Sequence, residues 1–340
     1  MFFNHHFSSV SLGGSVLRFM PREIHIPNEA SFHLFRHFLT LNEFFPADAD
    51  SFNLNFHPRF VYLQPFALAM LAAWATHWRD RGVPVRCENF ASAGIDYAWR
   101  MGLFEHLGVP YRPERAEHEE AGRFIPLRTL RSGEDLARFL NDVAPLLHRP
   151  EHIQAVQYCL SETIRNVLEH AGGAPAFACA QFYQDAQRVS IGVADCGVGV
   201  LASLQRAHGM ANDAEAIVGA LTPGITGVVG GMYGPPDNAG VGLFFTKSIA
   251  KASHQYFGIY SGNAAFRLRR VRSHEQFLLY ANPRQDRHDL YDGLPVWHGT
   301  VVAVDIGVRQ IRSFESTMTA IRNAITPQRP GERRPRVRFS

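Results

Sequence analysis

The chain has 340 residues, enough for two domains of ordinary size, and 46% of them are hydrophobic, which allows a large core. Charged residues make up 19% and the net charge is +3, which argues against a largely disordered chain and does not indicate nucleic-acid binding. The four cysteines form no CxxC pair, so we expect buried, reduced thiols and no zinc site. The most apolar stretch, residues 60–78, is interrupted by Gln64, Pro65 and His77. We therefore expect a cytoplasmic protein without a membrane span.

The first third of the chain predicts a small α/β domain over residues 21–113, after a leader of residues 1–20 without clear periodicity. Helices in this domain are expected to end at Gly82 and Gly108. The predicted elements are a strand over 22–26, a helix over 31–45, a strand over 51–56, a helix over 63–81, a strand over 83–87 and a helix over 94–107. A stretch rich in Glu, Arg and His over residues 114–123 is predicted to be a linker.

Residues 124–310 predict a second, larger domain of the α+β class, with helices on one face of a mixed sheet. The predicted helices cover 133–147, 153–171 and 243–252, and the predicted strands cover 124–130, 176–183, 189–195, 255–261, 264–270, 277–281 and 300–306. Residues 311–340 predict a C-terminal helix and a basic, disordered tail, which we favour over a nucleic-acid-binding arm.

The helix over 153–171 carries the first chemical motif. Glu162, Asn166 and then Glu169 or His170 are spaced so that they lie along one face of that helix. Asparagine is a mediocre helix former, so its place in mid-helix asks for a reason. Its amide oxygen suits Mg²⁺, and a carboxylate one turn earlier can orient or deprotonate a water that attacks a phosphate.

The second motif, Asp195, Gly197 and Gly199, follows a predicted apolar strand. A carboxylate at a strand end can accept a hydrogen bond from an exocyclic amine such as that of adenine. The two glycines let the backbone turn sharply and approach a ligand closely. A late pair, Gly299 and Thr300, enters another predicted strand, and the threonine hydroxyl can complete a pocket for the base.

The third motif precedes the helix over 243–252 and contains Asn238, Gly240, Val241 and Gly242. Free backbone N–H groups at the start of a helix form a site for phosphates. Lys247, further along this helix, is predicted to be a solvated residue as readily as a phosphate ligand.

Each motif has a plain structural explanation when it is taken alone. Glu162 can lie on a solvated helix face, Asn166 can be a satisfied polar position, and Asp195 can be a loop carboxylate. Glycine before a helix is ordinary. The order and spacing of all the segments together are much more specific than any one of them.

Together these segments resemble the ATP-binding domain of the GHKL family, the fold shared by DNA gyrase and histidine kinases. The version found in anti-sigma-factor serine kinases is the most similar. Residues 162–171 resemble the N box, residues 195–199 the G1 box and residues 238–242 the G2 box, while residues 201–237 stand in the place of the ATP lid. The resemblance covers about residues 130–310 and implies a Bergerat α/β sandwich that binds ATP and Mg²⁺.

The resemblance also implies a role for each matching residue. Asn166 would coordinate Mg²⁺, Glu162 would be the general base or water-orienting carboxylate, and Asp195 would bind the adenine amine. The other implied nucleotide-binding residues are Gly197, Gly199, Asn238, Gly240, Val241, Gly242 and Thr300. His170 is a weaker candidate, and Arg165 is expected to face away from Glu162 and Asn166.

The first domain more faintly resembles a STAS domain, the anti-anti-sigma type of module, through residues 60–69, 82–85 and 101–104. In that family the turn before the first long helix carries a phosphorylatable Ser or Thr. Leu63 and Gln64 stand at the matching positions here, which implies a docking or packing module.

These resemblances imply an ATP-driven regulatory switch or weak ATPase, with a regulatory protein partner and with a homodimer as a further possibility. A protein serine kinase of the anti-sigma-factor type is one alternative, and a non-enzymatic interaction protein with a nucleotide site is another. A histidine kinase is disfavoured, because no HExxxP motif precedes the N box and His118-Glu119 is followed by Glu, Ala and Gly. Nucleic-acid binding and membrane association are not expected.

Overall fold

A computed structural model describes residues 21–113, 123–147, 149–225, 240–270 and 278–325, with Arg206 described by its backbone only. The predicted leader, the linker up to residue 122 and the tail from residue 326 lie outside these residues, as does the His118-Glu119 pair. Within them the chain combines helices and sheets, and the predicted α+β class is confirmed.

The N-terminal third forms two small sheets with four helices. Its elements are β1 (Arg22–Ile26), β2 (Glu29–Ala30), α1 (Phe35–Thr40), β3 (Phe52–Phe56), β4 (Tyr62–Leu63), α2 (Pro65–Arg79), β5 (Val85–Glu88), α3 (Ile95–Arg100) and α4 (Leu103–Leu107). The strands β1, β3 and β5 form a parallel sheet in the order β1-β3-β5, and β2 pairs with β4 in parallel. The strand–helix alternation therefore gives the α/β unit that the sequence predicts.

Two predicted helices of this unit are shorter than expected. The helix predicted over 31–45 is limited to α1, because Asn42 leaves the helix and bonds both backbone groups of His25, at 2.7 and 2.9 Å. The helix predicted over 94–107 is divided into α3 and α4 at Gly102, whose φ of 79° lies in the left-handed region that ends a helix.

The remaining described residues form one large sheet with six α-helices. Its elements are β6 (Phe124–Leu130), α5 (Gly133–Asn141), α6 (Pro150–His170), β7 (Ala176–Tyr183), β8 (Arg188–Ala194), α7 (Gly199–His208), α8 (Asp213–Ala220), α9 (Gly242–Ala252), β9 (Phe257–Gly262), β10 (Ala264–Leu268), β11 (His288–Tyr291), β12 (Trp297–Gly307) and α10 (Phe314–Ile325). The strand predicted over 277–281 is wrong for residues 278–281, which form no strand, and residue 277 lies outside the described residues. The short, polar β11 takes the edge of the sheet instead.

The large sheet has the strand order β11-β10-β9-β12-β8-β7-β6. Every neighbouring pair in it is antiparallel, so the predicted mixed sheet is wrong. The reason is the position of β12. Strands β8 and β9 are connected through α7, α8 and α9 and run in the same direction. They do not pair with each other, because β12 lies between them and is antiparallel to both.

Other elements cover both faces of the large sheet, so the prediction of helices on one face only is wrong. Helices α5, α6, α8, α9 and α10 share one core with the first face, and the N-terminal unit shares a second core with the other face. Helix α2 has 11 buried residues, and all of them except Pro65 belong to that second core. At Gly192 of β8, an added Cβ would lie 2.2 Å from the carbonyl carbon of Pro65, so the start of α2 touches the sheet backbone directly.

Candidate functional site

Helix α6 positions the first two predicted site residues. It begins with Pro150 at its first turn, which suits a helix start, and it buries Cys159, Thr163 and Val167. Glu162 and Asn166 flank this buried stripe and are partly exposed. One side of α6 therefore holds the fold together while a neighbouring side presents polar groups.

Asn166 has a buried polar atom without a partner. Within the described part of the chain its Nδ2 meets no hydrogen-bond acceptor, although it is shielded from solvent. Glu169, on the next turn, has a buried Oε1 in the same state. Buried polar groups are normally satisfied, so two orphaned atoms on one side of a helix indicate a place where a bound polar group can complete the bonding.

Glu162 lies against the start of α9. A Cβ added to Gly242 would be 2.3 Å from its Oε2, so only a glycine allows the helix start to come this close to the carboxylate. Burial raises the pKa of Glu162, Arg165 opposes this shift, and the charge of Glu169 adds to it. A carboxylate whose pKa is shifted upward is a better proton acceptor at neutral pH than an ordinary surface glutamate.

Arg165 does not face away from Glu162, and the expectation that it does is wrong. Its Nη1 lies 3.6 Å from Glu162 Oε1, because residues three apart are neighbours on a helix surface. Its Nη2 also donates to Ser161 Oγ at 3.2 Å. The helix thus places a cation beside the candidate base.

Asp195 is the residue immediately after β8, and it is almost completely buried, with 2% of its surface exposed. Its Oδ1 accepts from the backbone N–H of Gly197 at 2.8 Å, and its Oδ2 accepts from the backbone N–H of Thr300 at 3.2 Å. Burial raises its pKa to about 7, although these two hydrogen bonds work in the opposite direction. Each carboxylate oxygen retains a lone pair for a further donor.

The glycines around Asp195 allow close contacts between backbones. A Cβ on Gly197 would lie 2.2 Å from the carbonyl oxygen of Ala171, at the end of α6. Gly299 has a φ of 99°, and a Cβ there would lie 2.4 Å from the carbonyl oxygen of Asp195. Gly199 has a φ of 78° and begins α7. These three positions require glycine, and they bring α6, β8 and β12 together.

Thr300 and Ser261 face each other across β12 and β9. Their hydroxyl oxygens are 3.5 Å apart, and Ser261 Oγ donates to the carbonyl of Gly299 at 2.6 Å while accepting from the backbone N–H of Val200 at 3.0 Å. Ser261 therefore joins three segments of the site. Ser261 is not among the residues predicted for the site, because only the strand register shows that it lies opposite Thr300.

The start of α9 holds the residues predicted to bind phosphates. Val241 is the N-cap residue and makes no side-chain capping bond, and Gly242 is the first helical residue. Gly240 has a φ of 73° and accepts a hydrogen bond from Gly224 at 3.1 Å. Asn238 lies outside the described residues. Among the described residues no side chain caps α9, and uncapped N–H groups at a helix start can bind an anion.

Lys247 is buried, with 1% of its surface exposed, so its interpretation as a solvated residue is wrong. Its Nζ pairs with Asp286, which also binds Nζ of Lys251 at 2.5 Å. Burial lowers the pKa of Lys247, and Asp286 opposes this shift. Lys247 thus holds α9 to the segment before β11.

The first part of the predicted lid is helical. Helix α7 packs on β9 and β12, and α8 packs on β9 and β10. A Cβ on Gly262 would lie 2.1 Å from the carboxyl carbon of Asp213, which opens α8. The rest of the predicted lid, from residue 226 on, lies outside the described residues.

The turn before α2, which stands where STAS domains carry a phosphorylatable residue, is buried. Gln64 is 3% exposed and is the N-cap residue of α2. Its Oε1 accepts from the backbone N–H of Phe32 at 2.9 Å. Leu63, the other matching position, is 1% exposed and forms part of β4. This turn is therefore used for packing.

The site residues follow one another along α6. Glu162 meets the start of α9, and Ala171 meets Gly197 beside Asp195. At a rise of 1.5 Å per residue, these two contacts are roughly 13 Å apart, with Asn166 between them. This length is on the scale of an extended nucleoside triphosphate.

In the described part of the chain, no group of three or more His, Cys, Asp or Glu side chains is arranged to hold a metal ion. Mg²⁺ usually takes only one or two protein ligands and completes its shell with water and substrate phosphates. The amide oxygen of Asn166 is of the ligand type that such a shared site uses, and its Nδ2, which has no acceptor among the described residues, can donate to a phosphate oxygen.

Comparisons with protein-family models, with curated proteins and with solved structures each gave no match to this chain. None of the helices in the described ranges is long and apolar enough to cross a membrane.

Proposed function

We propose that the chain is a magnesium-dependent ATP-binding protein of the GHKL type that acts as an ATP-driven regulatory switch or weak ATPase. The observation that carries this proposal is the order of three residues along α6. Asn166, whose Nδ2 has no acceptor among the described residues, lies between Glu162, which touches the start of α9, and Ala171, which touches the turn after Asp195. The helices packed on the first face of the large sheet fit a Bergerat-like arrangement, whereas the wholly antiparallel pairing of that sheet departs from the mixed sheet expected for it.

The base end of this site consists of Asp195 and its neighbours. The carboxylate is held by two backbone N–H groups, so it can accept from the exocyclic amine of adenine without moving. Guanine presents a carbonyl oxygen at the corresponding position, which a carboxylate repels. Thr300 and Ser261 add hydroxyl groups beside it. The proposal therefore includes a preference for adenine over guanine.

The phosphate end consists of α9 and the polar side of α6. The uncapped N-terminus of α9 supplies backbone N–H groups to phosphate oxygens, and Gly242 leaves space for the carboxylate of Glu162. Asn166 would hold Mg²⁺ through its amide oxygen, and the bound ion would neutralise charge on the phosphate oxygens.

Glu162 would accept the proton of a water molecule that attacks the terminal phosphorus, so that phosphate and ADP are released. Its burial and its raised pKa favour this role. Arg165 sits within 3.6 Å and can balance the charge that develops near the carboxylate. Turnover is expected to be slow if the protein works as a switch.

The N-terminal unit is proposed to be STAS-like, with a docking or packing role. Its parallel sheet and α2 fit that interpretation, and Leu63 and Gln64 offer no phosphorylatable hydroxyl at the matching turn. We propose that ATP binding regulates a protein partner through this unit.

Calorimetry with Mg²⁺ and ATP tests the proposal. The wild-type protein is expected to bind, and Asn166→Ala is expected to lose at least about 100-fold in affinity, because the ligand that fixes the metal is removed. Gln154→Ala, which removes an exposed amide from the same helix, is the matched control and should bind like the wild type. Absence of binding by the wild type, or equal affinity of Asn166→Ala, would overturn the proposal.

Labelled ATP separates the switch or ATPase from the alternative serine kinase. Release of free phosphate alone, or binding without turnover, supports the switch or weak ATPase. Transfer of label to a protein serine would instead show the kinase.

A further inference from the structure

Trp297 belongs to the second core, and its indole reaches the backbone of Asp195. It is 1% exposed, and its Nε1 donates to the backbone carbonyl of Asp195 at 3.0 Å. This bond holds the main chain of the residue whose carboxylate is proposed to bind adenine. Trp297 itself lies too deep to touch solvent, so its role concerns the position of Asp195.

The N-terminal unit supplies the surface on which Trp297 rests. The rings of Phe44 and Phe45 meet its indole edge-on, with centroid distances of 5.7 and 5.1 Å. The carbonyl of Phe44 accepts from Nε1 of Trp74 at 2.8 Å and from Nε1 of Trp78 at 3.0 Å. The Phe44–Phe45 segment is thereby fixed to α2.

The contact continues into the glycine turn of the site. His298, which follows Trp297, stacks on Phe45 with a centroid distance of 4.3 Å. The pairing of β12 with β9 shifts register between Trp297 and Thr300, and Gly299 lies inside this bulge against the carbonyl of Asp195. A shift of the Phe44–Phe45 segment therefore displaces the backbone that carries both Asp195 and Gly299.

We propose that Trp297 is a positioning residue that couples the Phe44–Phe45 segment of the N-terminal unit to the carboxylate of Asp195. The inference rests on the proposed function, because it assigns a regulatory route to the same nucleotide site. The coupling is reciprocal: adenine binding steadies the Phe44–Phe45 segment, and a partner that moves this segment changes the affinity for adenine nucleotides. A protein partner docked on the N-terminal unit can thus act on the site without touching the nucleotide.

Trp297→Phe removes the indole N–H while a six-membered aromatic ring remains against Phe44, and the ring volume that is lost with the N–H is matched in the control variant. The loss of one buried hydrogen bond loosens Asp195, so the preference for ATP over GTP is expected to fall about tenfold. A general loss of packing would weaken both nucleotides alike and leave their ratio unchanged.

Trp99→Phe is the matched control. It also replaces a partly buried indole of the N-terminal unit, but within the described residues Trp99 makes no ring contact with Phe44, Phe45 or Trp297. We expect its ATP-to-GTP preference to equal that of the wild type.

The experiment measures the affinities of both Mg-nucleotides for the wild type and the two variants, together with hydrogen exchange of residues 42–50 in the wild type with and without ATP. Exchange is expected to slow when ATP binds, and this readout does not depend on any variant folding. If the wild type binds ATP but Trp297→Phe keeps the full preference, or exchange does not change, the inference fails and the proposed function stands. If the wild type binds no nucleotide, both fail.

Discussion

The two faces of the large sheet are built for different tasks. On the face that carries α6 and α9, polar atoms of Asn166 and Glu169 are buried without partners beside the glycine turns. On the other face, α2 approaches until backbone meets backbone at Gly192. Unpaired polar atoms occur there too, at Gln181 and Asp305, but they lie toward the opposite end of β8 from Asp195. We therefore expect substitutions on the α2 face to lower stability, and substitutions beside α6 to lower binding or turnover.

The largest effect is expected from Gly192→Leu on the α2 face. The new side chain would meet the backbone of Pro65 and Phe66 at less than van der Waals distance, and backbone cannot yield as a flexible side chain can. The free energy of unfolding should fall by about 3 kcal/mol, as measured by chemical denaturation. Gly133→Ala is the control, because a Cβ there meets nothing within 4 Å. A variant as stable as the wild type would contradict the direct contact between α2 and the sheet.

Glu162→Gln on the α6 side should have the next largest effect. It keeps the shape against Gly242 but cannot accept a proton, so any ATP hydrolysis should fall by about 100-fold while ATP affinity changes little. Glu151→Gln, eleven residues earlier on the same helix, should hydrolyse ATP like the wild type. Unchanged turnover in Glu162→Gln would exclude it as the base, and a stability loss of the size expected for Gly192→Leu would erase the contrast between the faces.

Asp195→Asn should lower ATP affinity about tenfold and remove its pH dependence. Because the pKa of Asp195 is about 7, the carboxyl is protonated below that pH and ionised above it. ATP affinity of the wild type should therefore rise as the pH increases through about 7 and then level off, whereas the variant should give a flat profile. Calorimetry at several pH values measures this, and a wild-type profile without a step near pH 7 would count against adenine recognition by the carboxylate.

Arg165→Leu should give the smallest effect. Arg165 lowers the pKa of Glu162, so its removal lets that pKa rise. The acidic limb of the pH–rate profile for hydrolysis should move to higher pH, and the move should be small because Arg165 is partly exposed and its charge is screened. A shift toward lower pH would show that another group controls this limb.

Local patterns in the sequence predicted much of the fold. The bounds of β6 and β7 agree with the structure to the residue, and α6, β8 and α9 agree to within three residues, because strand alternation and helical periodicity are local properties. The same holds for the candidate site: Glu162 and Asn166 lie on one helix, as the sequence predicts, and Asp195 directly follows a strand that was predicted to end one residue later.

What could not be predicted depends on contacts far apart in the chain. The ion pair between Lys247 and Asp286 joins residues 39 positions apart, and no local pattern marks a lysine as buried. Trp297 and Asp195 are 102 positions apart. The sequence does contain a signal that the second face of the sheet is covered. The first eleven residues of α2 are all apolar, and a helix that is apolar all round is buried on every side.

The insertion of β12 between β8 and β9 has a consequence for synthesis of the chain. Asp195 and Thr300, which pair at the site, are separated by 105 residues, so the centre of the sheet closes only after the ribosome has released residue 307. Until then β8 and β9 each expose an unpaired edge to other chains. A nascent chain is therefore expected to need protection from aggregation late in translation, and its nucleotide site to be one of the last features to assemble.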